Sequence, residues 1–171
     1  MRVLVIGASG AIGTRLVPQL IDRGHEVIGT SRSPRNADRV RALGARPIVL
    51  DLRDPNAVRE AVLKTAPDAI VNEATALADV QFSKNLDRSF VQTNRIRTEG
   101  TDAVLAAAGE AGVSRVVAQS FASLRYVREG GPVKTEDDPL DPVPVEGMQE
   151  TSAAMNYLDE VVTAAGGIAL R

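Results

Sequence analysis

The stretch from Val3 to Gly13, VLVIGASGAIG, decides how the rest of the chain is read. A short run of β-branched and aliphatic residues stops at Gly7, and Gly10 and Gly13 follow at three-residue spacings. An amphipathic segment starts at once, with Leu16, Val17, Leu20 and Ile21 on one side. Buried strand, glycine turn and helix in that order form the phosphate-cradling start of a dinucleotide-binding unit. Gly7 allows the sharp turn, Gly10 lets backbone N–H groups approach a pyrophosphate, and Gly13 lets the helix lie close to its strand. The anion then sits at the helix N-terminus, where unpaired N–H groups and the helix dipole favour negative charge. Gly7, Ser9, Gly10, Ala11, Ile12 and Gly13 are therefore the first expected cofactor contacts.

Working outward, short apolar runs alternate with helical periods. Strands are expected at 3–7, 25–31, 46–51, 68–74, 113–120 and 167–171. Helices are expected at 11–23, at 34–43 before Gly44, and at 55–65, with Pro55 in the first turn. A long helical stretch at 86–111 is interrupted near Gly100, and a last helix at 148–165 presents Ala154, Leu158, Val161 and Ala165 on one face. Residues 121–147 break the rhythm: they carry four prolines, a Gly-Gly and the acidic cluster Glu136, Asp137 and Asp138, with no helix or strand period. So long a connection inside a compact domain is usually functional or mobile. The pattern predicts an α/β, Rossmann-like, doubly wound parallel sheet in the order 3-2-1-4-5-6, covered by helices on both faces and occupying 1–171 as one domain.

Composition excludes several classes. A net charge of −2 offers no general attraction to nucleic acid or anionic membrane. No apolar run approaches membrane-spanning length, and Met1 leads straight into the first strand, so no signal peptide is expected and a cytoplasmic location is the default. With no cysteine and a single histidine, His25, disulfides, thiolate chemistry and a Cys- or His-rich metal site are ruled out.

In such sheets ligands bind outside the C-terminal strand ends, at the switch point between strands 1 and 4. That rule turns strand ends into candidate site residues. After strand 2 no carboxylate is available for the ribose 2′-hydroxyl of NAD; Ser31 and Arg32, with Arg35 nearby, suit the 2′-phosphate of NADP. An acid from elsewhere would instead favour NAD. Asp51 and Leu52 end strand 3, where an aspartate accepts from an adenine amino group and the leucine covers the ring; Asp51 equally suits a helix cap. Ala74 and Thr75, after Asn72, are small enough for the second ribose to pass the backbone. Ser120 ends strand 5, and Ser123 and Tyr126 follow, so these three hydroxyls are the expected catalytic candidates facing nicotinamide and substrate. Asn94 shares an apolar helical stripe with Phe90 and Thr101, as a core amide or a site residue.

These residues resemble the extended short-chain dehydrogenase/reductases, specifically the NAD-dependent epimerase/dehydratase group. The carriers are GASGAIG at 7–13, DLRD at 51–54, NEAT at the strand-4 end, Asn94, QSFAS at 119–123 and the acidic loop EDDPLDP at 136–142. The resemblance implies a nicotinamide cofactor, a small carbonyl, hydroxyl or sugar-nucleotide substrate, and a homodimer formed through the helices around 86–111 and 148–165. It also implies a Tyr-x-x-x-Lys pair, in which lysine lowers the phenol pKa and holds the ribose. Here the chain departs. Four residues after Tyr126 and Tyr157 stand Gly130 and Val161, and the lysines are Lys64, Lys84 and Lys134. If Glu160 matches the glutamate late in the family helix, Ser152 and Asn156 occupy the two places. Relatives also continue past strand 6 into a substrate-closing region, which implies that a chain ending at Arg171 is a partial form. Two alternatives to an atypical enzyme stay open: a cofactor-binding sensor without turnover, and a fold remnant acting through protein contacts.

Overall fold

The computed structural model describes residues 1–78, 80–81 and 83–171. Six strands, β1 (Arg2–Ile6), β2 (Glu26–Ser31), β3 (Arg46–Val49), β4 (Ala69–Asn72), β5 (Val116–Gln119) and β6 (Ile168–Leu170), form one sheet in the order β3-β2-β1-β4-β5-β6. Every neighbouring pair is parallel. The expected fold class and strand order are thus borne out. The strands are shorter than the apolar runs that announced them: Val113, for example, packs into the core before β5 begins.

The pleat sorts side chains between two layers. Val3, Val5 and Val27 pack with Val17 of α1 (Gly13–Asp22) and Val40 of α2 (Pro34–Ala42). Leu4, Ile6, Ile28 and Ile70 face the other way, against α3 (Pro55–Thr65) and α5 (Thr101–Glu110). Leu4, Ile28 and Ile70 are completely buried, each worth roughly 1.5–3 kcal/mol of transfer free energy before chain entropy is counted. Ser33 caps α2 and Asp54 caps α3, each followed by proline at the first helical position.

The long helical stretch is α4 (Leu86–Arg95), one π-helical turn at Ile96–Gly100, and α5. The interruption expected at Gly100 is therefore a change of helix type with no break in the chain direction. On α6 (Gln149–Ala164) the buried residues include Thr151, Ser152, Ala154, Met155, Leu158, Asp159 and Val162. This corrects the expected face in part: Ala154 and Leu158 are buried and Val161 packs half-buried against the same cluster, but Ala165 is exposed and Met155 and Val162 are buried, because Leu158 and Val162 turn to β5 and β6. Between β5 and α6 the chain has turns and one antiparallel bridge, Tyr126 to Leu140. Among the described residues no helix is long and apolar enough to cross a membrane.

Candidate cofactor cleft

β1 to β5 each hand the chain toward the next helix at the C-terminal edge of the sheet, where the strand-end candidates lie. Gly7 has φ 84°, a left-handed conformation that suits glycine, and a side chain there would meet the Glu73 and Ala74 backbone at 2.9 Å. Gly13 is tighter still: a Cβ would lie 2.6 Å from Ala8 Cα and the Gly7 carbonyl oxygen. The turn is closed by Gly10 N–H donating to the Gly7 carbonyl at 2.9 Å, and Gly7 N–H donates to Thr30 Oγ1 at 3.2 Å. Helix α1 begins two residues later than expected, at Gly13, with Ile12 as an N-cap whose side chain makes no capping bond. Gly10, Ala11 and Ile12 are exposed and Ser9 half-buried, so the helix N-terminus opens to the cleft.

At the strand-2 end Ser31 is buried and its hydroxyl donates to the Ser33 carbonyl at 2.9 Å. Arg32 is exposed and forms no hydrogen bond among the described residues. Asp51 receives the Arg53 guanidinium (2.6 Å to Oδ2) and the Arg53 N–H (3.0 Å to Oδ1). The Arg53 hydrogen bond holds the Asp51 carboxyl below the usual aspartate range, and the Arg32 charge adds to it. The helix cap for which Asp51 was the alternative candidate is made by Asp54. Leu52 turns inward, 4% exposed, and packs on Gly100. Asn72 Oδ1 accepts from Ala74 N–H at 3.2 Å, and Thr93 Oγ1 accepts from Ala76 N–H at 3.1 Å, fixing the segment around Thr75 to α4. Glu73, which no sequence signal singled out, stands half-buried with one carboxylate oxygen unpartnered, and burial pushes its carboxyl up.

The three hydroxyl candidates separate. Ser120 is buried and accepts from Arg125 Nη1 at 3.1 Å. Ser123 is exposed. Tyr126 is half-buried beside the Arg171 guanidinium, whose pKa it helps to raise. Asn94 points at α6, donating to Thr151 Oγ1 at 3.1 Å, while its own Oδ1 is buried without a partner. Tyr157 of α6 is engaged with α5: its phenol donates to Asp102 at 2.8 Å, which raises its pKa.

A buried polar cluster joins these elements. Arg125, 4% exposed, donates from Nη2 to Asn156 Oδ1 at 2.5 Å and to Asp159 Oδ2 at 2.9 Å, and from Nη1 also to the Phe121 carbonyl. Arg171 Nε donates to the same Asp159 oxygen at 3.0 Å. Asn156, matched above to the family lysine, is thus in contact with a guanidinium contributed by the loop. Sequence reasoning missed Arg125, Asp159 and Arg97. The available signal was Arg97 and Asp159 lying within otherwise apolar helical rows.

Comparison with known proteins agrees with this architecture. The family model described as "NAD dependent epimerase/dehydratase family" matches residues 3–167. A 3-diazoavenalumate denitrifying reductase from a Streptomyces species is 40% identical over 178 residues, covering 100% of this chain and 55% of its own length. A 4-hydroxy-2-methyl-3-oxo-4-farnesyl-3,4-dihydroquinoline-1-oxide ketoreductase of Stigmatella aurantiaca is 32% identical over 92% of this chain and 45% of its own. Among solved structures, the Thermus thermophilus UDP-glucose 4-epimerase in complex with NAD is 27% identical, with a TM-score of 0.74 over 100% of this chain and 54% of that one. The chain therefore spans about half the length of these relatives.

Proposed function

The chain belongs to the NAD-dependent epimerase/dehydratase family, and from that premise we propose that it binds a nicotinamide dinucleotide at the β1–α1 turn for hydride transfer. The observation that carries this reading is the turn itself: Gly7 at φ 84° and Gly13 in backbone contact with Ala8 and Gly7 leave an open helix N-terminus at the switch point between β1 and β4. The substrate class is a small carbonyl or hydroxyl compound or a sugar nucleotide, as the names of the reductase and epimerase relatives suggest. When bound, the cofactor supplies the hydride. The chain's own residues orient it and place hydroxyls beside cations: Ser120 beside Arg125, and Tyr126 beside Arg171.

NADP is the proposed form, supported by the exposed Arg32 guanidinium and the lack of an acid at the strand-2 end. Titration calorimetry with NADPH and NADH tests both steps. Tighter NADPH binding is expected, and Gly10→Val is expected to abolish it with the fold retained. Tighter NADH binding refutes the role of Arg32, and no binding of either refutes the cofactor reading. A second reading, a cofactor-binding sensor without turnover, is favoured by the lack of a Tyr-x-x-x-Lys pair in the sequence, with Ser152 and Asn156 at the two places if Glu160 matches the family glutamate. Hydride exchange between bound NADPH and a panel of small carbonyls and nucleotide sugars distinguishes the two. A homodimer through α4 and α6 is part of the proposal. The groove between them, about 490 Å³, is lined by Val91, Asn94, Thr98, Ala153 and Tyr157 among others.

A further inference from the structure

The π-helical turn carries an arginine into the interior. Arg97 is 5% exposed, its guanidinium lies 5.8 Å from the centroid of the Phe90 ring, and its Nη1 is buried with no hydrogen-bond partner. Burial and the neighbouring Arg125 charge depress its pKa to about 10, with Asp159 acting the other way. Phe90 lies seven residues earlier on the same helical run, so the Arg97 side chain leans back along it. That run starts after β4 and leads into β5, so its beginning lies at the C-terminal edge of the sheet. Arg125 follows β5 and Arg171 follows β6, at the same edge.

Charge does not balance here. Asp159 accepts from Arg125 and Arg171, its other oxygen is buried without a partner, and Arg97 adds a further guanidinium. A buried guanidinium with an unpaired nitrogen lowers stability, and a hydrophobic side chain of similar volume relieves that cost. Sites where charge is held against stability are candidates for ligand recognition.

We propose that Arg97, with Arg125 behind it, recognises an oxyanion, the carboxylate or phosphate of the substrate, at the C-terminal edge of the sheet. The inference rests on the hydride-transfer reading only for calling that ligand a substrate. A guanidinium forms paired, charge-assisted hydrogen bonds with such groups, and the Phe90 ring holds its plane in place.

The test uses the full chain, with and without NADPH, and measures thermal unfolding and calorimetric binding of sodium acetoacetate and of UDP. Arg97→Met is expected to unfold at the same or a higher temperature than wild type. It is also expected to bind the effective probe about tenfold more weakly or worse, the loss of one charged hydrogen bond. Acetoacetate binding assigns a carboxylate, and UDP binding assigns a phosphate. Arg97→Lys is expected to recover part of the affinity. A lower unfolding temperature for Arg97→Met makes Arg97 a structural residue and overturns the proposal. So does equal binding by wild type and variant, or saturation by neither probe. If the probes behave as expected while NADPH does not bind, the anion site stands and the cofactor reading falls.

Discussion

Gly13 and Gly10 are two glycines of one motif with different physical jobs. A methyl group at Gly13 has backbone atoms at 2.6 and 2.7 Å, which cannot swing aside as a side chain can. At Gly10 the nearest neighbour is the Gly7 carbonyl oxygen at 3.1 Å, and no other atom is found within 4 Å. Gly13→Ala is expected to destabilise the fold by about 1–3 kcal/mol, the usual cost of overpacking, read as a fall in the urea midpoint. Gly10→Ala is expected to leave that midpoint within about 0.5 kcal/mol while weakening NADPH binding. Equal effects on stability would show that both glycines serve packing alone. The distinction was legible in the order of the motif, which assigns Gly10 to the anion and Gly13 to the packing of helix on strand; the packed structure adds how tight each position is.

Helix α6 begins at Met148, whose side chain makes no capping bond. Its free N–H groups are satisfied from another helix: Asp87 of α4 accepts from Thr151 N–H at 2.8 Å and Glu150 N–H at 3.2 Å. Burial acts against the charged Asp87 carboxyl, but hydrogen bonds from Thr151, Glu150 and Gln149 outweigh it, and its pKa falls below the ordinary 3.8. A carboxyl lowered in the folded state stabilises above its unfolded pKa and loses that contribution as pH falls through the folded value. Asp87→Ala is therefore expected to cost about 1 kcal/mol at neutral pH, as loss of a cap does. The gap between variant and wild type should close as acid unfolding is followed below about pH 4; a gap that stays constant throughout that range would reject the assignment. Elements of this kind explain what was and was not legible. The strands and glycine turns announced themselves because each is local in sequence. The cap between positions 87 and 150–151 joins distant residues, and Arg97 and Asp159 carry letters that normally mean solvent. Tertiary packing reversed that meaning.

Taken whole, the molecule exposes apolar groups at several places, and two of them bear on association. One is the α4–α6 groove, where Val91 is 47% and Tyr157 37% exposed. The other is β6, one of the two edge strands of the sheet, where Ile168 is 57% and Leu170 51% exposed. Ala118 and Ala169 of β5 and β6 face α6, and the alternate residues Val117, Ile168 and Leu170 face the side where α1 and α2 reach no further than β4. An uncovered edge strand is itself a template for association. Sedimentation velocity on Val91→Glu and Ile168→Lys separates the two surfaces. If the helices pair, Val91→Glu is a monomer and Ile168→Lys remains a dimer; the opposite result places association at β6.

The π turn has a consequence for how this helix tolerates change. An i→i+5 turn within an α-helical run lodges one residue more than the α geometry needs, while the helices on either side keep their own faces. Arg97 lies inside that turn. Deleting residue 97 should let the turn relax to α geometry with Phe90, Thr93 and Val104 still seated. The helix would become shorter by one residue and more regular, and it would lose the Arg97 charge together with its contact on the Phe90 ring.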